Sequence, residues 1–148
     1  MRLSLRSTST RTFVALPLAL LAEQGLRRAR LHASGTPLLA AGFAAYKLAG
    51  SYRTGRAGGP PGMSQGMPDR LVTDGVYAWT RNPMYLGHLT FMTGAALVTR
   101  SPLAIGALAL AGPWFGRRVA ADEARLTAAF GRAYEEYLER VPRWLPGS

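Results

Sequence analysis

The stretch Pro102-Leu-Ala-Ile-Gly-Ala-Leu-Ala-Leu-Ala-Gly-Pro-Trp-Phe-Gly116 decides how this chain is read. It carries no charge, so a helix built from it is apolar on every face, whereas a helix of a soluble bundle sets an apolar stripe against a polar one. Three stretches of the same kind precede it. Thr12–Ala22 reaches Leu26 if Glu23 is admitted, Thr36–Gly50 is interrupted only by Lys47, and Met84–Thr99 holds His88 as its sole ionisable residue. A straight bilayer crossing needs about 20 residues at about 1.5 Å per residue, and these stretches are shorter. Snorkelling arginines or local bilayer thinning would let them span. Gly87, Gly94, Ala95 and Ala96, and then Gly106, Ala107 and Gly112, are the small residues that let helices approach closely in lipid. Pro17 and Pro113 are tolerated there more readily than in an isolated helix. The expectation is an all-α fold: an integral membrane helical bundle with about four short transmembrane helices and a cytosolic C-terminal helix. A soluble four-helix bundle is the alternative.

The charge lies between these stretches. The chain has 148 residues, one domain by length, with 18 Lys+Arg against 8 Asp+Glu and a net charge of +10. It has no cysteine, which excludes a disulfide scaffold and Cys-ligated zinc or iron–sulfur sites, and His32 and His88 are too few for a histidine-rich metal centre. A nucleic-acid partner is disfavoured because the arginines are spread over every loop rather than gathered in one patch; anionic headgroups explain them more simply. By the positive-inside rule Arg2, Arg6 and Arg11 hold the start of the chain in the cytoplasm, with Lys47–Arg81 and the tail on the same side and Arg100 outside. Arg27, Arg28 and Arg30 conflict with this unless the first stretch is re-entrant or interfacial. The basic start followed by Phe13–Ala22 also has the outline of a signal peptide, but Leu20 fits the small-residue cleavage pattern poorly.

The chain reads as one domain in two parts. Residues 1–68 hold the N-terminal helices and a Gly/Pro-rich loop, Gly55–Pro68; residues 69–148 hold the motifs. The Gly58–Gly62 run is too irregular for a phosphate loop, and Gly-x-Gly-x-x-Gly is absent. The tail from Arg117 to about Arg140 reads as one helix ended by Pro142. On it Phe130, Tyr134, Tyr137, Leu138 and Val141 form an apolar face opposite Glu135, Glu136 and Glu139. Trp79, Trp114 and Trp144 suit interfacial positions. His88 either lines an acceptor route or makes an interhelical hydrogen bond.

Two features carry chemistry. Leu71-Val-Thr-Asp-Gly-Val-Tyr77-Ala-Trp-Thr-Arg81-Asn82-Pro83-Met84-Tyr85-Leu-Gly87 sets aromatic and polar groups just before an apolar helix. Asn82 suits the N-cap and Pro83 the first turn. Alone it reads as a capped helix with an interfacial aromatic and Arg anchor. In Arg117-Arg118-Val-Ala-Ala-Asp122-Glu123, Arg118 and Asp122 share a helix face and alone read as an i,i+4 ion pair.

In this order the segment from Arg70 to Pro142 resembles the isoprenylcysteine carboxyl methyltransferase family and, more broadly, the phospholipid methyltransferases. The matching pieces are Leu71-Val72, Gly75-Val-Tyr77, Arg81-Asn82-Pro83-Met84-Tyr85-Leu-Gly87, Arg118-x-x-x-Asp122-Glu123, Phe130-Gly131-Arg-Ala-Tyr134-Glu-Glu-Tyr137 and Arg140-Val-Pro142. Asn82 stands where the family usually has His, and Asp122 where it usually has Glu. Asn keeps a donor and an acceptor but does not titrate.

The resemblance implies methyl transfer from S-adenosyl-L-methionine to a lipophilic or lipidated acceptor drawn from membrane lipid, at a site facing the cytoplasm. Carried over by position, the cofactor is held by Asp69, Arg70, Leu71, Val72, Tyr77, Asn82, Pro83, Met84, Tyr85 and Asp122. Arg118 meets the acceptor carboxylate through the planar fork of its guanidinium, and Arg81 and Glu123 are the other catalytic candidates. A carboxylate acceptor is ionised at pH 7 and needs no general base. An amine must first lose a proton, with Glu123 or a tyrosine helping. O-methylation of a carboxylate is therefore the expectation, with N-methylation of a phospholipid headgroup amine or a non-enzymatic membrane scaffold as alternatives.

Overall fold

The computed structural model describes residues 7–58 and 67–145. Arg2, Arg6 and most of the expected Gly/Pro loop lie outside them. Among the described residues the chain is helical and has no strand. A short turn α1 (Thr8–Thr10) leads through a π-helical turn (Arg11–Ala15) into α2 (Leu16–Arg27). Then come α3 (Thr36–Ala57), α4 (Pro83–Thr99), α5 (Pro102–Phe130) and α6 (Arg132–Arg140). Among the described residues two 3-10 turns, Ala33–Gly35 and Gly75–Ala78, lie between them.

The all-α expectation holds, with three changes of boundary. Helix α3 runs past Gly50 through Lys47, Arg53 and Arg56, so Gly55–Ala57 belong to a helix rather than a loop. Helix α5 runs through Pro113 and takes in the first half of the expected tail. The tail helix breaks at Gly131, whose φ of +53° is cheap only for glycine, and restarts as α6. Val141, extended ahead of Pro142, ends α6 as the steric bias before proline requires.

Among the described residues no helix is both long enough and apolar enough to cross a membrane. Length and apolarity do not coincide in any one of them: α4 is apolar but has 17 residues, and α5 has 29 but is charged beyond Gly116.

The residues divide into two compact units. The first joins the chain up to Ala44 with Gly87–Pro113; the second joins Ala45–Leu86 with the chain from Trp114 onward. In the first unit small residues set the packing, as their frequency predicts. A methyl group on Gly94 would lie 2.6 Å from the Leu39 amide nitrogen, and one on Gly42 would overlap the Phe91 amide nitrogen. The backbones touch, and only hydrogen fits between them. Leu20, Ala95 and Ala104 form the buried centre. Phe13 stacks on His88 at 4.7 Å and meets Phe43 and Phe91 edge-on. Glu23, the acid inside an apolar stretch, accepts from the buried Ser101 hydroxyl and from Arg27. Ser101 in turn caps α5 by accepting the Ala104 amide at 3.2 Å, with Pro102 at the first helical position.

The second unit is built on the amphipathic face foreseen in the tail. Tyr134, Tyr137 and Val141 are buried, with Leu71, Leu126, Phe130 and Leu138 packed around them. Glu135, Glu136 and Glu139 face outward.

Candidate functional site

The second unit gathers most of the residues that carry the motifs. The approach to α4 begins at Gly75, whose φ is +57° and whose missing side chain leaves room for the Tyr52 ring. The 3-10 turn then buries Tyr77. Its hydroxyl donates to the Ala49 carbonyl at 3.3 Å, and its own carbonyl accepts the Tyr137 hydroxyl at 2.7 Å. Burial lifts the Tyr77 hydroxyl to about 12, partly offset by the nearby charge of Arg53. The Tyr77 hydroxyl is engaged with the backbone of the preceding helix.

Residues 80–82 are strapped to the end of the chain. The Arg81 amide donates to the Pro142 carbonyl at 3.0 Å, and the Thr80 hydroxyl and the Asn82 side-chain amide both donate to the Arg143 carbonyl. These bonds join Pro142 and Arg143 to the Arg81-Asn82-Pro83 motif. Asn82 occupies the N-cap position by backbone, since its carbonyl accepts the Leu86 amide at 3.0 Å. Its side chain makes the strap bond rather than a cap. That bond needs a neutral donor and no titratable ring, so asparagine can fill the role.

The Arg118–Asp122 ion pair expected from spacing does not form. The Tyr85 hydroxyl stands between them, donating to Asp122 Oδ2 at 3.0 Å and accepting from Arg118 Nε at 3.2 Å. Asp122, 5% exposed, takes its ion pair from Arg125. Arg118 lies 5.5 Å from the Trp114 ring.

Glu123 is held between two guanidiniums. Arg81 Nη2 lies 3.2 Å from Oε1, and Arg143 grips both oxygens at 3.2 and 2.6 Å. The contact with Glu123 pushes the affinity of Arg143 for its proton up. Both carboxylate oxygens are thus occupied by guanidinium donors. Arg81 also donates to the Leu138 carbonyl, while its buried Nε has no hydrogen-bond partner among the described residues.

Most of these residues line one cleft of about 90 Å³. From the expected set it takes Arg70, Leu71 and Val72 of the strip before the turn, and Tyr77. It also takes Arg81 with Asn82, Pro83, Met84 and Tyr85 from the start of α4, and Asp122 with Glu123 from α5. Two expected residues are outside it. Asp69 is exposed and turned toward Gly58, because its neighbour Arg70 is the residue pinned to α3. Arg118 reaches the cleft wall only through Tyr85. Sequence reading missed Arg53, Ala57, Pro68 and Leu126, and gave Tyr134 and Tyr137 a packing role only, although both also line the cleft. Burial lifts the Tyr134 hydroxyl to about 12, and lifts Tyr137 as well. No motif marked Arg53; the signal available was one charge one helical turn past the apolar end of α3. Arg143 was equally unmarked, although it follows Pro142 directly.

Among the described residues no cluster of His, Asp or Glu could hold a metal ion. The cleft suits an organic molecule with both apolar and anionic parts. Tyrosine and leucine walls offer apolar contact, and the Arg81 Nε–H offers an unsatisfied buried donor.

A model of the family described as phospholipid methyltransferase matches residues 32–131. Curated relatives named protein-S-isoprenylcysteine O-methyltransferase are similar over about half of the chain. The Tribolium castaneum protein is 38% identical over 77 residues, the Schizosaccharomyces pombe protein 34% over 77, and the Arabidopsis thaliana B form 37% over 78. The matched stretches cover 27%, 33% and 40% of those relatives' own lengths, and 51–52% of this chain. No solved structure matches.

Proposed function

We propose, from the premise that this chain belongs to the phospholipid methyltransferase family, that it methylates a lipophilic acceptor at a membrane surface with S-adenosyl-L-methionine as donor. The observation that carries the reading is the single cleft joining the 70–72 strip, residues 81–85 and the Asp122–Glu123 pair, which are distant in sequence. When bound, the donor supplies an electrophilic methyl on a sulfonium. The strip, Tyr77 and residues 82–85 would hold it, and Tyr85 would be kept in position by Arg118 and Asp122.

The favoured acceptor is a carboxylate. It is ionised at neutral pH and attacks without a base. An ammonium would need one, and both acids of the cleft are already engaged, Glu123 by Arg81 and Arg143, Asp122 by Tyr85 and Arg125. The chain's work is then to position, align and exclude water. The names of the relatives point the same way, toward a lipidated carboxylate.

Membrane embedding is part of this proposal. Leu18, Leu21, Leu103, Ile105 and Leu110 of the first unit are all exposed, apolar side chains that lipid would cover. The site would face the cytoplasm, where the water-soluble donor is.

The test is twofold. Titration calorimetry in detergent should show saturable S-adenosylmethionine binding that weakens in Asp122→Asn. Labelled methyl should then pass into a lipid extract as a base-labile ester. A base-stable product would support headgroup N-methylation. Folded protein that binds no donor at millimolar concentration would leave only the scaffold alternative.

A further inference from the structure

We infer that Arg53, with Arg70 beside it, is the seat for the carboxylate of the molecule bound in the cleft; no motif marks Arg53, and the Arg118 expected to meet an acceptor carboxylate is engaged by the Tyr85 hydroxyl instead. The inference rests on the methyltransferase reading and deepens it. Arg53 and Ala57 stand one turn apart on α3, and both line the cleft. The Arg70 amide donates to the Ala57 carbonyl at 2.9 Å, which brings the second guanidinium-bearing residue to the same wall.

Their charge is unspent. All eight acidic residues of the chain lie among the described residues, and Arg53 and Arg70 pair with none of them. Arg56, one turn from Tyr52 on the same helix, shows the contrast: its guanidinium lies 3.6 Å over the Tyr52 ring and 3.8 Å from Asp74. Inside the cleft Asp122 and Glu123 are already matched by Arg125, Arg81 and Arg143. The surplus is therefore positive, and the partly buried Arg53 lies near enough to Tyr77 for its charge to lower that hydroxyl's pKa. A guanidinium with no acid partner in a tyrosine-lined cleft is matched by a planar anion that accepts two hydrogen bonds.

That carboxylate belongs either to the amino-acid arm of the donor or to the acceptor. S-adenosylmethionine and its decarboxylated form are titrated calorimetrically into the full chain, its Arg53→Gln variant and an Arg56→Gln control. Thermal melts check that each is folded. If the donor arm is seated here, the wild type and the control prefer the carboxylated ligand by about tenfold or more, the worth of one charge-assisted hydrogen bond, and Arg53→Gln abolishes the preference. It leaves the affinity for the decarboxylated ligand unchanged. If the acceptor is seated here, Arg53→Gln leaves both donor affinities alone and raises the KM for S-farnesylcysteine, used as the probe acceptor, by a similar factor, with Arg53→Lys recovering part of it. Donor affinities, preference and KM all unaltered in a folded Arg53→Gln protein would overturn the assignment while leaving the methyltransferase reading intact. A wild type that binds neither donor form would bring down that reading and this inference with it.

Discussion

Replacing Glu123 by glutamine removes the negative centre of a three-residue cluster and leaves everything around it in place. The side chains of Glu123 and Arg81 are each only 11% exposed, while that of Arg143 is 44% exposed. Arg143 can therefore turn to water, but Arg81 cannot without breaking its bond to the Leu138 carbonyl. Breaking one side of a buried pair costs about 3–5 kcal/mol, and the partial exposure of Arg143 puts this case near about 3. At about 3 °C per kcal/mol for a chain of this size, the melting temperature should fall by about 9 °C. The assay is thermal unfolding followed by circular dichroism in a mild detergent. Glu136→Gln is the internal control, because its pair with Arg132 is exposed on both sides. The double substitution Glu123→Leu with Arg81→Met removes both buried charges and should recover much of the loss. If Glu123→Gln melts no lower than Glu136→Gln, Glu123 is not the electrostatic centre of this unit.

Two further outcomes follow from the packing. Gly42→Ala must push a methyl into the Phe91 backbone and should destabilise by about 1–3 kcal/mol. Gly55→Ala, in a helix with open space around it, should stabilise by about 0.4–1 kcal/mol; equal effects would refute the close approach. The buried tyrosines set an alkaline limit. Tyr77 and Tyr134 ionise near 12 in the fold and near 10 unfolded, so the folded state holds their protons more tightly. Their contribution is complete below about pH 10 and is lost as the pH climbs toward 12. Phenolate absorbance at high pH should rise together with loss of helix; half-formation of every phenolate near pH 10 in a still-helical protein would contradict the burial.

Much of this was written in local pattern. Pro83 and Pro102 start α4 and α5 where the apolar runs begin, and the glycines and alanines between them announced helices in backbone contact. The set of residues around the cleft, from Leu71 to Glu123, came from the family resemblance. The tyrosine face of the tail was legible from its period, because a helix face depends on neighbours three or four positions away, which periodicity records directly. Which charge meets which does not. Spacing joined Arg118 to Asp122, yet Tyr85 from another helix stands between them. Glu123 found Arg81 and Arg143, and α3 ran on far enough to set an unpaired Arg53 in the cleft wall. An ion pair needs its groups within a few ångströms, and only the packed backbone decides which distant segments come that close. The sequence alone thus established helices, their buried faces and a family resemblance; the assignment of charges within the site required the tertiary fold.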